Sequence, residues 1–590
     1  MSTAVMAEPI TRRQKWRLPR IQLGPWIIFL VVLAAVVTPL TLLVLGSFSA
    51  EKLPTDFRLS ELNLDNYRKV WLDPGTYAVV WNTLVYVVGA VVFGIGIAAG
   101  LAWLVERTNI PGKSWIYAGI PMTLVMPGML QAMSYVLLFS PRIGFVNKML
   151  ALGGIPPISI YSIGGMILLE GLRLVPTAFL MLVPLLRSMD PSLEEAAAMS
   201  GARPTSTMRK VTLRLMLPGL LAISIYQSVT ALEAFEIPGI IGIPSNIYVF
   251  STRVYSIIYS TDGIPNYGEA NALSMAYVIL ALLATYFYAK VISHSERYTI
   301  ISGKGYRPRE TDLGALRWVA SGMAFLLLVF SIILPFIALF YISLLPYVQQ
   351  PSAAAFRAMS FDNYTAFWQS DRIELTLRNT LFVVVLTCLV TVAFSFLVSM
   401  VIVRSKFWGR RILDQLAFIP HAIPGIVMGI AFLWLFLKGR SMGIDLFGSL
   451  WSLVIAFVIG FMAYGTRAMS AAILQIHKDL EEAAHVSGAP QWRTMWRVFF
   501  PLMMPTFIGV FIWSMLQSVR SASVPLLLTE GSENEVLSVL VWRLWNQGDI
   551  GVVGAIGTVL ILTMLLVTFG LRYFGFRRAA AIQQSHGLKP

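Results

Sequence analysis

Cysteine is almost absent from these 590 residues, charge is scarce, and histidine is rare. Cys388 stands alone in an apolar run, which excludes a disulfide or a thiolate metal site within the chain. Charged residues make up 13% of the sequence, against roughly 25% in ordinary soluble domains. The five histidines (His294, His421, His477, His485, His586) show no HExxH or comparable ligand spacing, so no metal site is expected. No phosphate-binding loop is present either. Gly112-Lys113-Ser114 comes nearest, but Arg107 stands where that motif needs its first glycine. No constellation of His, Asp or Ser points to an integral-membrane enzyme, so no catalytic residue is expected.

What is present is apolar. Hydrophobic residues reach 57% and mean hydropathy is +0.71. The apolar runs of about 20 residues suit membrane helices and are too long for barrel strands. The net charge of +15 could suit nucleic acid, but the basic residues cluster at the ends of apolar runs. The excess of Lys and Arg on cytoplasmic loops explains them better. Membrane lipid is therefore the expected surrounding, and nucleic acid is not an expected partner.

Residues 1–25 form a polar arm carrying Arg12, Arg13, Lys15, Arg17 and Arg20. The apolar run after it, from Trp26 to about Phe48, is too long for a signal-peptide core and lacks an A-x-A site. It reads as a membrane anchor with the arm in the cytoplasm. Eleven more spans follow, near 78–104, 115–139, 160–186, 215–235, 271–291, 318–342, 380–403, 411–437, 449–474, 502–522 and 551–571. Loop charge places both termini and the two basic loops at 193–218 and 480–505 on the cytoplasmic side.

The chain is also duplicated. Asp65-Asn66-Tyr67 matches Asp362-Asn363-Tyr364, Asn82-Thr83-Leu84 matches Asn379-Thr380-Leu381, and Pro127-Gly128 matches Pro424-Gly425, all at an offset of 297. By Glu194 the offset is 287, so the first copy carries ten more residues, expected in the outer loop at 140–157. Two six-helix copies in one orientation predict an all-α membrane protein of about 12 transmembrane helices. The two parallel repeats would be related by a pseudo-two-fold axis along the membrane normal. The expected bounds are 26–291 and 318–571, with a cytoplasmic linker at 292–317 and a cytoplasmic tail at 572–590.

The strongest repeat lies in the basic loops. Glu194, Glu195, Ala196, Ala197 and Gly201 fall on Glu481, Glu482, Ala483, Ala484 and Gly488. Each loop predicts a short helix ended by a left-handed glycine. Arg209 and Lys210 in one copy, and Arg497 in the other, supply positive charge for an acidic partner surface. This EAA-x3-G pattern resembles the coupling loop of type I ABC importer permeases. The long two-copy form and the segment Leu232 to Pro244 resemble most the ferric-iron group. Putrescine/spermidine, thiamine and phosphonate permeases share much of the pattern. The resemblance implies a permease subunit in a bacterial cytoplasmic membrane, working with two copies of an ATPase and one extracytoplasmic solute-binding protein. ATP and Mg would be held by the ATPase, with no cofactor in this chain. One departure stands out: Val498-Phe499-Phe500-Pro501 follows the family's I-x-L-P, whereas Val211-Thr212-Leu213-Arg214 lacks the proline.

Charged residues within spans are costly and so become pathway or gate candidates. Glu170 and Arg173 lie three apart on one helical face and can pair. Glu233 and Glu236 sit where a span meets the next segment, and at the 287 offset they meet Arg520 and Ser523. Glu233 could pair with Arg520 as a bridge between the copies, or the two carboxylates could meet a cation. Arg467 is a further candidate. Pro127, Gly128, Pro424 and Gly425 should break their helices beside a central cavity. A secondary transporter would also show repeats and buried charges. A membrane scaffold would give no reason for two loops in one register.

Overall fold

The computed structural model describes residues 23–141, 144–187, 189, 192–202, 204–259, 265–295 and 310–585. Most of the expected cytoplasmic arm and linker lies outside these residues. Ten described helices are long and apolar enough to cross a membrane, and two bent helix pairs raise the number to twelve. In the first repeat they are α1 (Leu23–Ser47), α2 (Pro74–Arg107), the bent pair α3 (Lys113–Met122) and α4 (Gly128–Phe139), α5 (Ile163–Arg187), α6 (Met208–Leu232) and α7 (Tyr267–Ser295). The second repeat follows as α8 (Leu316–Ser343), α9 (Asp371–Arg404), the pair α10 (Arg410–Phe418) and α11 (Gly425–Ser441), α12 (Leu450–Gln475), α13 (Trp492–Arg520) and α14 (Ile550–Ser585). Each helix of one repeat has its counterpart seven labels on, in the same order and direction. The fold is all-α, two parallel six-span repeats. α14 runs through much of what the sequence suggested as a tail.

The helix ends follow from local chemistry. α2 begins with Pro74 in its first turn, and the Asp73 carboxylate accepts from Gly75 N at 2.9 Å. The two central spans break where the sequence placed Pro-Gly. Met126 and Ile423 precede those prolines and take extended ψ values of 116° and 120°. A proline ring crowds the residue before it out of the helical region, so the axes turn by 95° and 111°. The ten extra residues of the first repeat fall between α4 and α5, where an added helix, Phe145–Leu152, occupies the connecting loop. α11 offsets part of this by running 17 residues against 12 for α4.

The duplicated short motifs turn out to be fasteners. The Tyr67 and Tyr364 hydroxyls each lie 2.8 Å from a serine hydroxyl at the end of the repeat's first helix, Ser47 and Ser343. Asn66 donates to the carbonyls of Ser47 and Ser49, and Asn363 to those of Ser343 and Leu345. The Asn-Thr pairs pin the segment that precedes the last helix of each repeat. Asn82 donates to Tyr248 O and Thr83 accepts from Phe250 N. In the second repeat Asn379 donates to the Glu533 and Glu535 carbonyls, and Thr380 accepts from Leu537 N.

Within each repeat the long helices pack through small residues. A Cβ on Gly94 would lie 2.6 Å from Gly171 O, so only glycine permits that approach of α2 to α5. Between repeats, the first helix of each reaches across. α1 packs on α11, with Gly46 against the buried Trp434, and Tyr135 of α4 donates to Phe330 O of α8 at 2.7 Å. The end of the linker is clipped to the first repeat by Asn109–Asp312 and Lys113–Glu310 contacts of 2.6 Å each. The Gly314 N–H and the Asn109 amide hold the Asp312 carboxyl below the usual range.

Candidate coupling loops and central charged cluster

Both EAA segments fold as short helices, Ser192–Met199 and Lys478–Val486. Each ends in the same way. Gly201 and Gly488 take φ values of +78° and +73°. Ala202 N bonds back to Ala197 O and Ala489 N to Ala484 O, both at 3.0 Å, the six-to-one closure of a glycine-terminated helix. Ser200 and Ser487 cap the Ala196 and Ala483 carbonyls. After each turn the chain re-enters the membrane through a π-helical turn at matching positions, Met208–Thr212 and Met495–Phe499.

The glutamates divide their roles. Glu194 turns inward and pairs with Arg107, the last residue of α2, at 3.2 Å. Glu481 pairs with Arg404, the last residue of α9, at 2.7 Å. Each arginine also donates to carbonyls at the end of the helix feeding its loop: Leu186 O for Arg107, and Ile473 O and Ile476 O for Arg404. Sequence reasoning does not single out these two arginines, and their matching positions at the 297 offset are the signal that could find them. Glu482, Ala196, Ala483, Arg209 and Arg497 face outward, with Met199 and Val486 88% and 90% exposed at the helix tips. The two loops also differ at Thr212, two residues before the missing proline. Thr212 donates to Glu194 at 2.8 Å, whereas its counterpart Phe499 lies under the Arg404 guanidinium at 5.9 Å.

The second group of candidates sits deep in the bundle. Arg173 pairs with Glu170 on its own helix, its Nε 3.1 Å from both carboxylate oxygens, and Glu170 is wholly buried. Glu236 crosses between the repeats, its carboxylate accepting from Ala522 N at 3.4 Å. It thereby reaches the start of the short helix Ser523–Leu528, just after α13 breaks. The expected Glu233–Arg520 bridge is absent: among the described residues neither makes an ion pair within 4 Å. Arg520 instead stands within electrostatic reach of Arg173, Glu236 and Glu170, and Glu233 within reach of Arg173 and Glu236. The Pro-Gly breaks come up to this group. Gly128 lies against Arg173 and Glu236, and Gly425 against Ser523. Arg467 is not part of it, being half exposed and held by Asp414 at 3.2 Å. Among the described residues no three His, Cys, Asp or Glu side chains form a metal-holding group.

Two parallel six-span repeats and two matched EAA helices are what the described residues bring together. Residues 391–579 match the family described as binding-protein-dependent transport system inner membrane component. The ferric transport system permease protein FbpB of Actinobacillus pleuropneumoniae is 25% identical over 482 residues, covering 81% of this chain and 67% of that one. A probable sulfate transport system permease protein of Chlorokybus atmophyticus is 25% identical over 40% of this chain and 85% of its own length. The solved structure of a bacterial ABC transporter that imports alginate is 18% identical, with a TM-score of 0.37 over 44% of this chain and 96% of its own.

Proposed function

We propose that this chain forms the whole translocation pathway of a bacterial inner-membrane ABC importer, with both termini in the cytoplasm. Two ATPase subunits, carrying the ATP and Mg, dock on the two EAA helices, and one extracytoplasmic binding protein delivers cargo to the opposite face. The observation that carries this reading is the matched pair of loops. Two loops 287 residues apart share a helix, a left-handed glycine closure, an inward glutamate–arginine anchor and an exposed apolar tip. Closure of the ATPase dimer draws the two short helices together, and the rigid anchors at Arg107 and Arg404 pass that movement to α2 and α9. The repeats then rock about the central cluster.

Ferric iron is the cargo that the long two-copy relatives favour. The first repeat supplies Glu170, Arg173, Glu233 and Glu236 to the cluster, and the second supplies Arg520. Polyamine, thiamine and phosphonate are the alternatives that the resemblance leaves. The test is purification of the chain from its native membrane in mild detergent, followed by ATPase assay with each co-purifying extracytoplasmic protein. Recovery of an ATP-binding subunit stimulated by one such protein supports the reading, and that protein's ligand names the cargo. Recovery of none points to a secondary transporter.

A further inference from the structure

One span beyond each EAA loop, at the opposite end of the fold, a short helix precedes the last span of its repeat: Phe250–Ile258 and Leu537–Gln547. The Thr83 and Thr380 hydroxyls accept from Phe250 N at 3.0 Å and Leu537 N at 2.8 Å, so the two helices are seated alike. On them stand Tyr255 and Trp542, counterparts at the 287 offset. These two counterparts meet. Their rings cross edge-on at 5.8 Å, and Trp542 Nε1 donates to the Tyr255 hydroxyl at 3.3 Å.

A residue and its counterpart lie at equal distances on either side of the axis that relates the repeats. Two that touch therefore lie at that axis, where the interface between the repeats runs. The first repeat fills the space around them. Phe235, wholly buried, packs on Tyr255 at 5.2 Å and on Trp542 at 5.4 Å. Tyr259 packs on Tyr255 at 4.7 Å and donates to Leu526 O of the second repeat. The counterparts of Phe235 and Tyr259 are Ala522 and Asn546, so three of the four rings come from one half. A Cβ on Gly239 would lie 2.8 Å from the Trp542 ring, which occupies space that a glycine leaves open. The Glu236–Ala522 contact ties the same two segments beside Phe235.

Resting on the functional reading above, we propose that Tyr255, Trp542 and Phe235 form the gate that shuts the pathway on the cargo side, with the Tyr259–Leu526 contact as its latch. Cargo reaches the charged cluster only after Tyr255 and Trp542 part. The same separation breaks the Glu236–Ala522 contact, so opening the gate also frees the Glu236 carboxylate to meet what enters. Aromatic rings suit this task, since their large rigid faces exclude water while in contact and hold nothing once apart.

The experiment uses sealed right-side-out membrane vesicles holding the permease with its ATPase subunits, and a membrane-impermeant maleimide added outside. The reporter is Ser523→Cys in a Cys388→Ala background, because Ser523 is buried against Gly425 next to the Glu236 contact. With the gate intact, labelling should be slow without ATP and at least fivefold faster when ATP, vanadate and the binding protein are supplied. Adding Trp542→Ala should raise the rate at least fivefold with no ATP present. Tyr255→Leu, changed in the other repeat, should do the same, so either variant decides if the other fails to assemble. Labelling within twofold of the parent in both variants overturns the gate, while the parent's response to ATP keeps the importer reading. A parent reporter already labelled fast without ATP overturns the gate as well. A parent reporter that ATP and the binding protein leave slow overturns both readings.

Discussion

Replacing Glu194 by alanine tests the anchoring of the coupling helix most directly. The substitution strands Arg107, whose side chain is 3% exposed, with a backbone carbonyl as its remaining partner. Removing one member of a buried ion pair costs about 3–5 kcal/mol. At the lower figure the ratio of docked to undocked helix falls roughly 150-fold, since each 1.4 kcal/mol is tenfold. Glutamine keeps a neutral acceptor for Arg107 and Thr212, so its cost should be nearer 1 kcal/mol. Lysine at position 107 should resemble the alanine variant. One ammonium does not reproduce the planar fork that serves Glu194 and Leu186 O together. The measurement is amide hydrogen exchange over residues 192–202 in the reconstituted complex, with transported cargo per ATP hydrolysed as the functional readout. Faster exchange and a lower yield per ATP are expected for Glu194→Ala, with Glu194→Gln between it and the parent. Unchanged exchange in the alanine variant, or a glutamine variant worse than alanine, would refute the anchoring argument.

Further outcomes follow from the same geometry. Gly201→Val or Gly488→Val forces a branched residue into a left-handed conformation at about 1–2 kcal/mol. Each should lower transport per ATP while the protein still inserts, and failure to insert would make the glycines purely structural. Arg520→Glu alone should reduce transport at least tenfold, because it leaves four carboxylates around Arg173. Combining it with Glu233→Arg should restore much of the loss, so a double variant no better than the single one counts against a shared cluster. Tyr67→Phe and Tyr364→Phe should each lower thermal stability by about 1 kcal/mol, equally within error, as both lose one serine contact of the same length. Unequal shifts would mean that the two fasteners differ in context. Asn379→Ala should destabilise more than Asn82→Ala, having two carbonyl partners against one.

Much of this fold was readable because membrane helices advertise themselves by length and apolarity, and because duplication lets each half check the other. Pro127-Gly128 and Pro424-Gly425 showed their breaks in advance, since the steric effect of proline is local. The left-handed closures at Gly201 and Gly488 were legible for the same reason. What stayed hidden depends on contacts between distant residues. Arg107 and Glu194 meet across many turns of chain, and each taken singly looks like a loop charge. Glu236 is satisfied by a backbone N–H of the other repeat, and no side-chain pattern reveals such a donor. The Glu233–Arg520 pairing failed for the opposite reason. Equal register in two repeats places residues as counterparts about an axis, and counterparts need not touch.

That last point bears on why the two halves share one polypeptide. Suppose the first repeat were expressed twice and assembled with itself. Its centre would then hold two copies each of Glu170, Glu233 and Glu236 against two of Arg173, both already committed to Glu170. Two copies of the second repeat would instead bring Arg520 towards Arg520 with neither Glu170 nor Arg173 present, because Phe457 and Gly460 hold those positions. Neither homodimer balances its centre. A covalent tandem guarantees that every assembled pore contains one of each half, so the ancestral symmetry could be lost residue by residue while the two loops that need it kept their matching shape.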